Sequence, residues 1–387
     1  MILLQIIFWL CVFVIFHSYV LYPLIIKWLP KKQKYHIYSD CETLSVSILM
    51  AAFNEEMVIE EKIESILNSD YPIEKLEIII GSDNSTDKTN EIVQKLAANI
   101  PQIRFIPFDK RQGKSNIINQ LADLATGDIF ILTDANVMFN KKTINELIKP
   151  FCDEEIGLVD SNMINTGLKN HGISIQEKSY ISREVMIKHY ESMHWGTMMG
   201  PFGGCFALRN KLFTKVPLNF LVDDFYICMQ VIKKGFKTIN NIDAEVYEDV
   251  SNNLYIEFKR KIRIATGDFQ NLAQFASFLW PPYTGLAFSF LSHKVLRWIG
   301  PLILIIAAIC LCVMAFFSKF YMILAIIYMF SFFIPFIDIL LKKIRIHNII
   351  LRFITHFYTM NLALLIGMFK AIKGVKSNVW KPTQRFQ

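Results

Sequence analysis

The chain has 387 residues, 53% of them hydrophobic and 19% charged, with 32 phenylalanines and a formal net charge of +7. Soluble domains usually carry about 25% charged residues, so this balance excludes a disordered chain and a small disulfide scaffold, and it argues against an ordinary soluble enzyme. The basic excess suits a protein that holds Lys and Arg against anionic lipid or that binds an anionic substrate. No basic stripe interleaved with aromatics marks a nucleic-acid partner. The seven cysteines show no CxxC pair and read as reduced, packed thiols rather than zinc ligands.

The first element, Ile2 to Ile26, is apolar apart from Gln5, His17 and Ser18. About 20 such residues span a bilayer core. A cleaved signal peptide would want a basic start and a small-residue cleavage site. Here Met1 leads straight into apolar sequence, and Lys27, Lys31, Lys32 and Lys34 come afterwards. The segment reads as a retained anchor, with the N-terminus outside and the following residues in the cytosol.

The middle of the chain alternates short apolar runs with helical periodicity. Leu44 to Ala52 reads as a strand, and Asn54 is placed to cap a helix whose Ile59, Ile63, Ile66 and Leu67 share a face. Leu76 to Ile80, Ile103 to Pro107 and Ile129 to Leu132 read as further strands, separated by helices ending near Ala98 and spanning Lys114 to Ala125. Short buried strands alternating with helices predict an α/β fold, a mostly parallel sheet with helices on both faces. Ligands of such sheets bind beyond the carboxyl ends of the strands. Those ends carry Ala52, Phe53, Asn54 and Glu55, then Ser82-Asp83, then Asp134-Ala135-Asn136.

Three converging carboxylates, Glu55, Asp83 and Asp134, need an opposing charge. Asp134 and Asn136, two residues apart, offer oxygens to a hard cation, Mg²⁺ or Mn²⁺; caps and turn formers are the plainer reading. Arg111, Gly113 and Lys114 form a basic turn entering a helix, suited to phosphate or simply solvated. Gly203 and Gly204 lie in a glycine-rich turn that permits close backbone approach. Asp223 and Asp224 open a helix running to Lys234; they serve the helix dipole or supply a general base, because neighbouring carboxylates raise each other's pKa. Arg260 and Arg263 share a helix face within a basic cluster, fit either to clamp a diphosphate or to lie on anionic lipid.

Phe269 to Tyr283 is aromatic and amphipathic, like an interfacial helix. Three more apolar stretches follow at Ile299 to Phe317, Tyr321 to Leu341 and Ile349 to Phe369, the last containing Arg352, His356 and Asn361. If all three span, the tail ends outside, yet Lys370, Lys373, Lys376, Lys381 and Arg385 argue for inside. The expected organisation is an anchor at 1–28, a cytosolic domain at 40–268, an interfacial segment at 269–298, transmembrane helices at 299–371 and a basic tail at 372–387.

Taken in order, these segments resemble the family 2 glycosyltransferases, particularly membrane-anchored bacterial enzymes of polysaccharide and glycolipid synthesis. The resemblance covers about residues 44 to 270. Ala51 to Glu56 looks like the family's opening strand-loop, and Ser82 to Asp87 like its Asp-Asp-Gly-Ser-Thr-Asp segment. Gly113-Lys114 with Asn119 matches its Gly-Lys…Leu-Asn, and Thr133 to Asn136 stands at its Asp-x-Asp. Gly203-Gly204 through Arg209 is similar to its acceptor-side glycine motif, and Asp223-Asp224 stands at its Glu-Asp pair.

The resemblance implies a GT-A fold in a bacterial inner membrane, with the catalytic domain in the cytosol. It implies inverting transfer from a nucleotide-diphosphate sugar to a lipid-linked or growing glycan. Asp83 and the Phe53 to Glu55 loop would contact the nucleotide, and Asp134 the metal and diphosphate. Asp224 would be the base, and Arg263 with Arg260 would stabilise the leaving diphosphate. Three positions depart from the pattern: Ser82 for an Asp, Asn136 for the second acid of Asp-x-Asp, and Ile264 where processive synthases carry Trp. The alternatives are a short processive synthase, an inactive structural subunit of the same fold, and a transporter, for which the apolar helices hold few polar residues.

Overall fold

Seven consecutive buried residues, Val46–Ala52, form strand β1 at the heart of an eight-stranded sheet. In the computed structural model, which describes residues 1–30, 43–167, 173–249, 253–344, 348–375 and 378, the chain divides into two compact units. One comprises Met1–Trp28, Lys169–Glu177 and Ser251–Gly374; the other comprises Leu29–Leu168, Lys178–Val250 and Val375–Gln387.

The sheet belongs to the second unit. Strands β2 (Leu76–Asp83), β3 (Ile103–Phe108) and β4 (Ile129–Thr133) join β1 in parallel, in the order β3-β2-β1-β4. Runs of Ile and Leu with no polar alternation suit strands covered on both faces. Helices Ile59–Leu67, Thr89–Asn99 and Lys114–Leu124 make the crossovers. The registers pair Ala52 with Ser82 and Met50 with Thr133, so the carboxyl ends of β1, β2 and β4 lie side by side.

The other half of the sheet is mixed. It contains β5 (Val137–Phe139), β6 (Ile156–Thr166), β7 (Cys205–Arg209) and β8 (Lys237–Asp249), and the full order is β3-β2-β1-β4-β7-β6-β8-β5. β7 runs antiparallel to both β4 and β6, β6 and β8 are parallel, and β5 is antiparallel to β8. Sequence periodicity predicts none of these four strands. β5 has only three residues, and β8 opens on polar Lys237 and Thr238, so neither shows a local apolar signature. One core, including Ile48, Ile78, Ile131, Val159, Ala207 and Val246, serves both halves.

Among the described residues of the first unit, three helices are long and apolar enough to cross a membrane: Ile2–Trp28, Lys319–Lys343 and Ile349–Lys373. At 1.5 Å per residue, 25 residues reach about 37 Å, beyond the ~30 Å hydrocarbon core. Ile349–Lys373, the stretch with the weakest apolar pattern, is one unbroken helix. Gly285–Trp298 and Gly300–Ala315 together form a fourth candidate, bent by 64°. Lys319–Lys343 is interrupted after Ser331, where Pro335 near the start of the next segment cannot donate a backbone hydrogen bond. The N-terminal helix packs through Phe8 and Cys11 on Ile303, Ala307 and Met314. Gly367 packs on Ala265 of the helix Leu254–Phe275, a small-residue contact that brings two backbones close.

One buried carboxylate in this unit is held by several basic groups. Glu177 accepts from His356 Nε2 at 2.7 Å and lies 4.0 Å from Lys261 Nζ. Burial would raise the Glu177 carboxyl, but Lys261, His356 and Arg260 hold it down at about 2. Lys31, Lys32, Lys34, Lys376, Lys381 and Arg385, which carry much of the charge-based topology reading, lie outside the described residues. The thiol expectation holds for Cys11, Cys205, Cys228, Cys310 and Cys312, which are free; Cys152 is disulfide-bonded.

Candidate active site

The carboxyl ends of β1 and β2 are stitched together by short polar side chains. Asn54, with φ 55°, accepts from Thr86 N at 2.8 Å through Oδ1. Its own N–H donates to Ser85 Oγ at 3.1 Å, and Glu55 N donates to Thr89 Oγ1 at 2.8 Å. Asn54 is therefore not a helix cap, as its position predicted. The helix begins five residues later at Ile59, and the amide is spent on the neighbouring loop instead.

Asp83 ends β2 fully buried. It accepts from Gln112 N at 2.6 Å, Gly113 N at 3.0 Å and Arg111 Nε at 3.1 Å. The Arg111 guanidinium lies 3.2 Å from the centre of the Phe53 ring. Phe53, Asp83, Arg111 and Gly113 thus form one cluster across three loops. Gly113 has φ +89°, and a Cβ there would collide with Asn378. A side chain at position 113 is excluded on both counts.

Lys114, the first residue of its helix, reaches across to Asp134 Oδ1 at 2.6 Å and Gly203 O at 3.2 Å. Burial alone would lower its pKa, but Asp134, Asp223 and Asp224 raise it above the usual lysine value. The Lys114 ammonium is thus the counter-charge of an acidic group drawn from two elements 90 residues apart. The turn bearing Asp134 is held from below by Lys62. This fully buried lysine donates to Thr133 Oγ1 at 3.1 Å and to Val137 O, and it sits over the Phe139 ring. Burial pushes its pKa down to about 7. Asn136 Nδ2 donates to Glu248 Oε1 at 3.1 Å.

The glycine turn is anchored in the same way. Phe202 N donates to Asp160 Oδ1 at 3.0 Å, and Asp160 is ion-paired with the buried Lys188, whose ammonium sits 3.6 Å from the centre of the Phe202 ring. Asn240 Nδ2 also donates to Asp160, at 3.1 Å. Gly203 lies directly against Asp224 Oδ2, and a Cβ at 203 would collide with it. Gly204 O accepts from Asp134 N at 3.0 Å. Asp223 and Asp224 open the helix Asp223–Lys233, and the predicted Gly235 follows it at φ +86°. Asp224 remains partly solvent-accessible while Asp223 is buried. Desolvation, reinforced by Asp223, pushes the Asp224 carboxyl up to about 7; Lys114 opposes the shift.

Of the residues singled out from sequence, Ala52, Phe53, Asn54, Glu55, Asp83, Arg111, Gly113, Lys114, Asp134, Asn136, Gly203, Gly204, Asp223 and Asp224 all belong to the second unit. Arg260 and Arg263 lie on Leu254–Phe275 in the first unit, where Arg260 Nη1 pairs with Glu257 Oε2 at 3.3 Å. Sequence reasoning missed Lys62, Asp160, Lys188 and Glu248. Two of them left a signal: Lys62 interrupts the apolar stripe Ile59, Ile63, Ile66, and Glu248 follows Ala244 and Val246 at the inward positions of β8.

The mixed α/β sheet with helices on both faces has the architecture of a GT-A fold. Residues 47–216 match the family described as glycosyl transferase family 2. A probable glycosyltransferase of Bacillus subtilis is 24% identical over 253 residues, 60% of this chain and 58% of its own length. A beta-monoglucosyldiacylglycerol synthase of Nostoc is 34% identical over 116 residues, 30% of this chain and 25% of its own length. A poly-beta-1,6-N-acetyl-D-glucosamine synthase of Staphylococcus aureus is 25% identical over 237 residues, 60% of this chain and 56% of its own. The chain therefore spans little more than half, or less, of these relatives. Among solved structures, a mannosyltransferase from Pyrobaculum calidifontis in complex with GDP-Man and Mn²⁺ superposes with a TM-score of 0.73 at 22% identity, covering 95% of this chain and 99% of that one. That likeness bears on the fold.

Proposed function

We propose that the chain is an inverting glycosyltransferase that moves a sugar from a nucleotide-diphosphate donor to a hydroxyl of a lipid-linked or growing glycan at the cytoplasmic membrane face. The observation that carries this reading is the placement of Asp224. It is a carboxylate at a helix start, partly exposed, seated on a glycine, and pushed up to about 7 beside Asp223. A base with that pKa is half ionised near neutral pH, where general-base catalysis is most effective. Asp224 takes the acceptor hydroxyl proton as the acceptor oxygen bonds to the anomeric carbon. The bond from that carbon to the phosphate oxygen breaks on the opposite side, and the nucleoside diphosphate leaves with the electron pair.

Phe53 with Arg111, Asp83 behind them, and Gly113 form the nucleotide side of the site. Asp134 and Asn136 present oxygen donors two residues apart at a strand end, a hard donor set that fits Mg²⁺ or Mn²⁺. Among the described residues no cluster of three or more His, Cys, Asp or Glu is poised for a metal. That fits a cation held by one or two protein oxygens and completed by substrate phosphates. When bound, such a cation neutralises charge on the departing diphosphate. Lys114 supplies positive charge at the same place. The apolar helices and Lys27 support multi-pass residence in a bacterial inner membrane with the sheet domain in the cytosol.

The test is turnover of a panel of labelled nucleotide-sugars by the full-length protein in native lipid, with and without Mg²⁺ or Mn²⁺. Consumption of one donor with label entering the lipid or glycan fraction supports the reading, and product length separates single addition from short processive synthesis. Absence of donor binding and turnover, with membrane extract supplying acceptors, overturns it in favour of an inactive structural subunit.

A further inference from the structure

The turn after β4 is one carboxylate short of the pattern it resembles, because residue 136 is an asparagine. The structure places a carboxylate directly beside that asparagine. Strands β5 and β8 pair antiparallel with Val137 opposite Glu248, so Glu248 comes level with the turn from a segment 112 residues downstream. It is 8% exposed, at the inward position that follows Ala244 and Val246 along β8. Its Oε1 accepts from Asn136 Nδ2 at 3.1 Å.

That contact determines which way the amide faces. An ionised carboxylate only accepts hydrogen bonds, so the amide end turned towards Glu248 is the NH₂, and Oδ1 lies on the other branch of the same planar group. A planar amide without such a neighbour can present either end. From this geometry we infer that Glu248 is a positioning residue for the divalent-cation site. It holds Asn136 with its oxygen available as a ligand, and it restores the negative charge that the asparagine lacks. Asp134 and Glu248 then carry the two charges that two aspartates would carry, one in contact with the cation and one behind the amide. The same arrangement explains why an aspartate is not needed at 136: it would face Glu248 carboxylate to carboxylate. Outer partners of this kind orient ligands and tune affinity in metal sites generally. The inference rests on the cation assignment made above for Asp134 and Asn136.

The test is Mn²⁺ binding to the full-length protein in nanodiscs, read from loss of the free-Mn²⁺ electron paramagnetic resonance signal, with Mn²⁺ alone and with added GDP or UDP. Glu248→Gln presents both a donor and an acceptor to Asn136 and removes the charge. The expected result is weakening of Mn²⁺ binding by about 10- to 100-fold, the range seen when outer partners of metal ligands are lost. The double variant Asn136→Asp with Glu248→Gln moves the charge back into contact with the cation, and Mn²⁺ binding should recover to within about threefold of the original. A general loss of folding would not be rescued by that second change. If Glu248→Gln binds Mn²⁺ as the original does, or if the double variant is no better than Glu248→Gln, the inference is wrong while the cation assignment stands. If the unaltered protein binds no Mn²⁺ with or without nucleotide, the cation assignment fails and this inference with it.

Discussion

Replacing Asp224 by Asn tests the proposed chemistry most directly, because asparagine keeps the shape and removes the carboxylate proposed as base. General-base assistance is typically worth about 10²- to 10⁴-fold, or ~3–5 kcal/mol of barrier, and kcat should fall by that much while donor affinity changes little. The pH profile is the sharper readout. With a carboxyl at about 7, the ionised fraction is about one tenth at pH 6, half at pH 7 and nine tenths at pH 8, since each unit is tenfold in the ratio. Activity should therefore climb with an acidic limb centred near 7, and the residual activity of Asp224→Asn should lack that limb.

The structure also predicts which way neighbours shift the limb. Asp223 raises the Asp224 pKa and Lys114 lowers it. Asp223→Asn should displace the limb to lower pH and Lys114→Met to higher pH, each by on the order of one unit, ~1.4 kcal/mol. Initial rates at saturating donor from pH 5 to 9, measured for all four proteins, decide the matter. A limb that persists unchanged in Asp224→Asn, or that moves the same way in both neighbour variants, refutes the assignment of Asp224 as base.

Gly203→Ala drives a methyl group into the Asp224 carboxylate, so kcat should drop at least tenfold with donor binding retained by calorimetry, because a small displacement of a reacting group is costly. Asp160→Asn leaves Lys188 buried without its counter-charge; a loss of about 3–5 kcal/mol is expected, seen as a large fall in the unfolding temperature. Gly113→Ala meets both a positive φ and Asn378, and fluorescence titration should show weakened nucleoside diphosphate binding together with about 1–2 kcal/mol of destabilisation.

Most of the parallel half of the sheet was legible from residue order. Leu44 to Ala52, Leu76 to Ile80 and Ile129 to Leu132 are apolar runs bounded by turn residues, and the helix over Asp223–Lys233 is marked by its leading acids and by Gly235. Strand ends in such a sheet come together whatever the rest of the chain does, and so Asp83, Asp134 and the Phe53 loop could be gathered in advance. The mixed half was not legible. β5 is too short for periodicity to register, and β7 gains its place only by pairing with β4 and β6.

Sequence by itself determined which groups end the strands and open the helices: three acids after strands, a Gly-Lys helix start, a glycine turn and an Asp pair. Local spacing suffices for that, because strand and helix periods involve neighbours a few residues apart. Only the tertiary structure decided what each group touches. It set Lys114 on Asp134, Gly203 against Asp224, Glu248 behind Asn136 and Arg111 on Phe53. The ion pair of a carboxylate and the orientation of an amide depend on partners 20 to 112 residues away in the chain, and burial and through-space charge have no counterpart in the order of the residues.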